Sequence, residues 1–345
     1  MMRLAINVYV RILILILFTV IGPNSHGSIC KGLFSSGDYL MRGLERHIEE
    51  PELLRITKDL DPVALVEQAY LNLYDPKDPP KKSFIEREDG TRLLTMPYTS
   101  LNGEKLVKEM VIDPKVKPGI TGRVRFSKNG ISSDTNLDAT WITGYRTAAK
   151  SVLMMLQMFG KDDSFRVRVH GGSVQAEHHI RMIRSYFSQA TIEVVGRNSK
   201  SKDWLLSKGF KEGNRLSYVV QGREVPADVV IGITNSVEPI LNQRNLHGAQ
   251  LVIAIGSSSG KVSEIETSLI KDYQILVDSL VSIAGKGELA LPLEKGLISR
   301  EQISEFKQLL LGSKTVDRDQ SPVLFVSKGL IIEDYVVVKS IVENI

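Results

Sequence analysis

The hydrophobic pattern along this chain changes period more than once, and each change marks a segment of different architecture. Within residues 51–74, Leu60, Val63, Leu65, Val66, Ala69, Tyr70 and Leu73 recur at helical spacing, with Asp61-Pro62 as a start signal. A Pro/Lys/Asp loop over 75–82 closes that segment. Residues 83–137 then alternate over short runs, predicting strands at 92–96, 106–112 and 122–126 with turn residues between them. The pattern describes a small, mainly β region rather than a parallel sheet.

At Thr143 the character changes. Residues 146–159 are rich in Ala, Leu and Met and predict one helix, stopped by Gly160. Strands and helices then alternate: a strand at 165–169, a helix at 174–187, a strand at 191–195, and a helix at 201–208 capped by Gly209. Short apolar runs at 229–233, 251–255 and 275–277 suit buried parallel strands. This alternation predicts an α/β fold, a Rossmann-type doubly wound parallel sheet beside the smaller β-rich domain.

Composition narrows the classes. A chain of 345 residues is longer than one compact core needs, which favours two domains. Hydrophobic residues at 42% and charged residues at 24% describe a globular protein rather than a disordered one. The net charge of +4, with no long Lys/Arg block, does not point to a nucleic-acid partner. Cys30 is the single cysteine, so no intrachain disulfide and no Cys-based zinc site can form. His170, His178 and His179 stand at no recognised metal-ligand spacing with a carboxylate, and no metal is expected.

The first thirty residues do not match the rest. An apolar run over 12–21 follows Arg3 and Arg11 and precedes Gly22-Pro23-Asn24, with the small residues Ser25 and Gly27 at signal-peptidase spacing. The run is short for a membrane span, which needs ~20 apolar residues. Residues 1–30 are therefore expected to form a leader, with a signal peptide and an over-extended start as the two readings of it.

The first strand of the α/β region runs into His170-Gly171-Gly172-Ser173-Val174-Gln175-Ala176 and then a helix. A dinucleotide pyrophosphate binds at such a turn, because glycine admits a close backbone approach and the helix start offers free N–H groups. Gly171, Gly172, Ser173, Val174 and Gln175 are the candidate phosphate-side residues, in a fingerprint degraded to G-x-S-x-x-A. An ordinary strand-to-helix turn is the plainer alternative. The second strand ends at Gly196, where NAD-specific sites carry an acid for the ribose hydroxyls. Arg197, Asn198 and Ser199 follow instead, suited to a 2′-phosphate, so NADP(H) is favoured and NAD(H) is the alternative. The turn at 256–261 is no P-loop: its glycines are too close, and Val262 stands where Ser or Thr should hold magnesium.

Several ordered motifs make a more specific likeness. Thr143-Gly144-Tyr145-Arg146-Thr147-Ala148-Ala149, Ala227-Asp228-Val229-Val230 with Thr234-Asn235-Ser236, Val277-Asp278-Ser279, Gly287-Glu288-Leu289 and Gly329-Leu330-Ile331-Ile332-Glu333-Asp334 occur in the order found in the ornithine cyclodeaminase and mu-crystallin family, which this chain resembles from about residue 55 onward. The resemblance implies an NAD(P)-dependent oxidoreductase acting on a small amino or imino acid. It also implies a homodimer formed through the β-rich domain. Domains are then expected at 31–142 with 315–345 (β-rich) and at 143–314 (Rossmann). A nicotinamide enzyme implies a cytoplasmic location, with secretion or anchoring through residues 1–27 as the alternative.

The resemblance also assigns roles. Arg146 matches the arginine that grips the substrate carboxylate, and Lys108 the active-site lysine that bonds the carboxylate or moves a proton. Thr147, Thr234, Asn235 and Ser236 fall on its cofactor side. Cyclodeaminases of the family carry a carboxylate in the loop after the 251–255 strand, whereas here Ser258 takes that place. A hydroxyl is a poor base without an activating partner. The expected activity is therefore reduction of a small imino acid, as in a ketimine reductase. Conversion of ornithine to proline and ammonia, or non-catalytic binding of NADPH and a small ligand, are the alternatives.

Overall fold

The computed structural model describes residues 46–113, 115–116, 119–128, 134–234, 236, 238–256, 263–283, 285, 287–317 and 319–345. The leader, Cys30, Asn235 and Ser258 lie outside the described residues.

Two sheets organise residues 47–345. The first contains β1 (Arg46–Ile48), β2 (Ser83–Glu86), β3 (Arg92–Thr99), β4 (Lys105–Ile112), β5 (Ile120–Ser127) and β6 (Thr135–Asp138), in the order β1-β6-β5-β4-β3-β2. It is antiparallel from β2 to β6, as alternating short runs require. Helices α1 (Glu50–Ile56) and α2 (Pro62–Gln68) precede β2, and the Asp61 side chain caps α2 by accepting the Ala64 N–H. A π turn, Ala69–Leu73, extends α2 and buries Tyr70.

Helix α3 (Ala139–Leu156) leads from the first sheet toward the second. It begins seven residues before the start read from the sequence. Asp138 accepts the N–H groups of Thr140 and Trp141, and the nearly all-round burial of α3 overrides the weak helix propensity of its first turns.

The second sheet is built from β7 (Arg166–His170), β8 (Thr191–Gly196), β9 (Leu216–Val220), β10 (Val229–Gly232), β11 (Leu251–Ala254), β12 (Gln274–Val277), β13 (Ile303–Glu305) and β14 (Val323–Val326). Their order is β13-β12-β14-β11-β10-β7-β8-β9, with parallel pairing throughout. The central strands are buried apolar runs, matching a sheet covered on both faces. Helices α4 (Val174–Tyr186) and α5 (Ser199–Ser207) follow β7 and β8. Helix α5 starts two residues earlier than its apolar pattern suggests, because Asn198 caps it by accepting the Lys200 N–H. The shorter helices are α6 (Gln243–Leu246), α7 (Ala290–Glu294) and α8 (Phe306–Leu310), and α9 (Ile331–Glu343) ends the chain.

One expected boundary moves. Val323–Val326, placed by sequence with the β-rich domain, pairs with β11 and β12 inside the parallel sheet. The chain leaves that sheet only after Val326, and α9 then packs against α2, α3 and β3. Strand order reverses between β7 and β10, the switch point where open α/β sheets hold ligands beyond the strand C-termini.

Helices α3 and α4 meet where Gly144 faces His178, whose ring also lies edge-on to Trp141. A Cβ at Gly144 would overlap that ring. Gly144→Ala, which helix propensity alone favours by ~1 kcal/mol, should therefore destabilise the fold by ~1–3 kcal/mol through overpacking, measured by urea unfolding. Stabilisation by alanine would refute the tight α3–α4 contact.

Candidate functional site

The loops at the C-terminal edge of the parallel sheet form a cleft of about 400 Å³. Its walls include His170 at the end of β7 with Gly171, Gly172 and Ser173 after it, Gly196 at the end of β8 with Arg197 and Asn198 after it, and Ile233, Thr234 and Ser236 after β10. Gly171 has a φ of +123°, outside the range of ordinary side chains. A Cβ at Gly172 would overlap Ser201 of α5, so the turn and that helix approach as only glycine allows. The first turn of α4 leaves backbone N–H groups without intrahelical partners, and the Glu177 N–H is the one that bonds back to Ser173.

Seven of the residues expected on the cofactor side line this cleft: Gly171, Gly172, Ser173, Arg197, Asn198, Thr234 and Ser236. Val174 and Gln175 form the helical turn behind it. Ser199 opens α5 without lining the cleft, and Lys200 and Ser201 line it instead. Thr147 is not brought there: it is buried on α3, where its carbonyl accepts the Ser151 hydroxyl.

The histidines divide. His179 is buried between Ser151 Oγ and the Gln175 carbonyl, at 3.0 and 2.7 Å. His178 packs on aromatic rings. Burial pushes both well down, to about 4 and about 3 respectively, so each is neutral near pH 7.

A second constellation lies beside the strand ends of β12 and β14. Glu333, fully buried in the first turn of α9, accepts from Tyr70 Oη at 2.8 Å and Lys150 Nζ at 2.7 Å through Oε1. Its Oε2 accepts from Arg146 at 2.7 Å. Lys108 donates to Asp334 at 2.7 Å, and Arg146 Nε lies 3.6 Å from the same carboxylate. Asp278, just after β12, takes Lys150 at 3.3 Å and the N–H groups of Lys328 and Gly329, each at 2.6 Å. Burial alone would raise the Asp278 carboxyl, but Lys150 and Lys82 hold it below the usual range. Lys82 is half-buried above this group, its Nζ 3.2 Å from the Lys328 carbonyl.

The cations Lys82, Lys108, Arg146 and Lys150 thus gather around the carboxylates of Glu333, Asp334 and Asp278, with the Lys328 ammonium also acting on Asp278. Burial lowers Lys108 to about 8 despite Asp334, which brings its proton within reach of neutral chemistry. The two residues read from sequence, Lys108 and Arg146, are brought together through adjacent carboxylates of α9. Lys150, Tyr70 and Asp278 were not assigned roles. The signal for Lys150 was its position one helical turn after Arg146, on the same face.

These features define a two-sheet α/β protein with a glycine-lined cleft and a buried ion cluster, both beyond strand ends of its parallel sheet. A family model for the ornithine cyclodeaminase/mu-crystallin family matches residues 128–345, and the chain belongs to that family. It is 26% identical over 212 residues to the alanine dehydrogenase of Archaeoglobus fulgidus, covering 60% of this chain and 65% of that protein. It is 27% identical over 210 residues to the ketimine reductase mu-crystallin of Macropus fuliginosus, covering 60% and 64% respectively. The chain thus spans a little under two thirds of the length of these relatives. The fold matches the Thermococcus litoralis Δ1-pyrroline-2-carboxylate reductase in complex with NADH and L-proline. That match has a TM-score of 0.74 at 21% identity and covers 87% of this chain and 97% of the other.

Glu333 is the shared acceptor of this cluster. Glu333→Ala leaves Arg146 and Lys150 short of a buried counter-charge and should cost ~3–5 kcal/mol in urea unfolding. A loss below ~1 kcal/mol would mean the cluster is solvated rather than buried.

Proposed function

We propose that this protein is an NAD(P)H-dependent reductase of a small imino acid, with NADPH the preferred cofactor. One observation carries the reading. The buried cluster of Arg146, Lys108 and Lys150 with their carboxylates shares the C-terminal sheet edge with the glycine-lined cleft, as a carboxylate substrate beside a dinucleotide requires. The cleft fits a dinucleotide on its own geometry, through the positive φ of Gly171 and the space that a Cβ at Gly172 would fill. Family membership, and relatives named as a ketimine reductase and an alanine dehydrogenase, agree with it.

A bound reduced nicotinamide supplies the hydride that the imine carbon accepts. The remaining tasks fall to this chain. Arg146, steadied by Glu333, and Lys82 orient the substrate carboxylate, and Lys108 gives the proton that the imine nitrogen takes up. Reduction needs no loop carboxylate, which accords with serine at position 258. A homodimer accords with the exposed edge strand β2, which carries Phe84 and Ile85.

Purified protein should oxidise NADPH in the presence of a cyclic ketimine carboxylate and release little or no proline from ornithine. Robust ammonia and proline formation from ornithine would replace this reading with cyclodeamination. Binding of cofactor without turnover of any ketimine would replace it with a binding function. Lys108 holds its proton below about 8 and loses it above, so the turnover rate should fall as pH rises through 8. Lys108→Met should remove that limb along with most of the activity.

Cofactor preference rests on Arg197, Lys200 and Ser201 in the cleft wall, with no acid at Gly196. Arg197→Ala should weaken NADPH by about tenfold and leave NADH nearly unchanged, as read by fluorescence titration. Equal affinities for both cofactors before and after the substitution would sink the NADPH preference.

A further inference from the structure

The same sheet edge holds a buried acid that the chemistry above does not use. Glu264 is fully buried. Its Oε1 accepts the Thr234 N–H at 2.7 Å and the Thr234 hydroxyl at 2.6 Å, and its Oε2 accepts the Gly256 N–H at 2.8 Å. Its backbone carbonyl takes the N–H groups of Ile240 and Leu241, both at 2.8 Å. One residue therefore ties the segment after β10 to the segment after β11. Thr234 and Ile240 are also walls of the cleft, and Ser236 N–H reaches Thr234 Oγ1 at 3.3 Å.

The sequence makes room for this carboxylate. A Cβ at Gly256 would stand 2.5 Å from Glu264 Oε2, and one at Gly232 would stand 3.0 Å from it. Two glycines at neighbouring strand ends thus leave the space that the acid fills.

We infer that Glu264 is a positioning residue for the dinucleotide: its ionised carboxylate fastens the Thr234 and Ile240 wall of the cleft, and cofactor affinity follows its ionisation. The inference rests on reading the cleft as a dinucleotide site. Ionised, the carboxylate accepts all three donors. Protonated, the group can donate to a turned Thr234 hydroxyl, but the bonds from the Thr234 and Gly256 N–H groups lose their charge assistance, and the wall is held more weakly.

The surroundings set the range. Burial raises the Glu264 carboxyl to about 7, with the Thr234 hydroxyl opposing and the Glu288 carboxylate adding to the rise. Glu288 is itself held by the Ser263 hydroxyl and the Glu264 N–H. Lys328, whose ammonium burial pushes below its ordinary value, faces both acids from the end of β14. His170 lines the cleft but is pushed down to about 4, chiefly by burial and then by Arg168, so it stays neutral through this range.

NADH is the probe, because it lacks the 2′-phosphate whose own titration near pH ~6 would overlap. Fluorescence titration of the full chain should show Kd for NADH rising about tenfold between about pH 8 and about pH 6. Glu264→Gln, which places an amide N–H₂ against one of the donors, should bind weakly and equally at both ends. Thr234→Val removes one donor to the ionised form, so its transition should move to higher pH. That displacement separates a titrating clamp from a merely structural acid. Wild-type affinity independent of pH, or an unchanged pH dependence in Glu264→Gln, overturns the inference while leaving the dinucleotide reading intact. If Glu264→Gln does not fold, the wild-type and Thr234→Val titrations decide it. Binding of neither NADH nor NADPH at any pH removes the reading of the cleft itself.

Discussion

A carboxylate taken fully out of water costs several kcal/mol unless donors surround it and a counter-charge stays close. Glu333 meets that condition with a tyrosine hydroxyl, a lysine and an arginine drawn from two helices packed against its own. The arrangement fixes three things together. It holds α9 (Ile331–Glu343) against α3 (Ala139–Leu156), it seats the π turn carrying Tyr70, and it sets the direction of the Arg146 guanidinium. Gly329, one turn upstream, lies so close to that guanidinium that a Cβ would stand 2.6 Å from Nη1 and Nη2. The chain's return from the parallel sheet is therefore part of the candidate site rather than an appendage to it.

The cleft depends on a different constraint, the close approach of backbone to backbone at the sheet's switch point. Gly171 supplies a conformation barred to other residues, and Gly172 supplies contact with α5 (Ser199–Ser207). Neither glycine adds hydrophobic burial. Their effect is to clear a floor beside Ser173, the residue that leads into the start of α4 (Val174–Tyr186), and a helix start suits an anion. Arg197 and Lys200 extend the positive character along one wall.

What could be read from the sequence was what is local. Apolar periodicity gave the central strands, Asp61-Pro62 gave the start of α2, and the glycine turn gave the cleft, since each signal lies within a few residues of its consequence. The start of α3 was missed because Thr140, Trp141, Thr143 and Gly144 are weak helix formers, although Asp138 was available as a cap. β13 was missed because Ile303–Glu305 holds a single apolar residue, and β14, a buried apolar run as long as β12, was passed over in a segment assigned to the other domain. The ion cluster was half legible. Arg146 and Lys108 came from motif resemblance, but the pairing of Arg146 with Glu333 spans 187 residues and exists only once the fold brings the two together. Glu264 follows a glycine-rich turn, and nothing local announced that Thr234 would bond it.

Burial acts in opposite directions on the two groups that bracket neutrality here. It raises an acid, because the anion is the form that needs water, and it lowers an ammonium for the same reason. Glu264 is ionised above about 7, and Lys108 is protonated below about 8. With the roles proposed for them, Glu264 as clamp and Lys108 as proton donor are both in their charged forms near neutral pH. Each shift is moderated rather than abolished by its partners, Thr234 and Gly256 for the acid and Asp334 for the lysine. Without those partners, burial would push the acid further up and the lysine further down, and the interval in which both charged forms coexist would close. The hydrogen bonds that look structural are thus what keeps both charged forms available together in a site shut off from water.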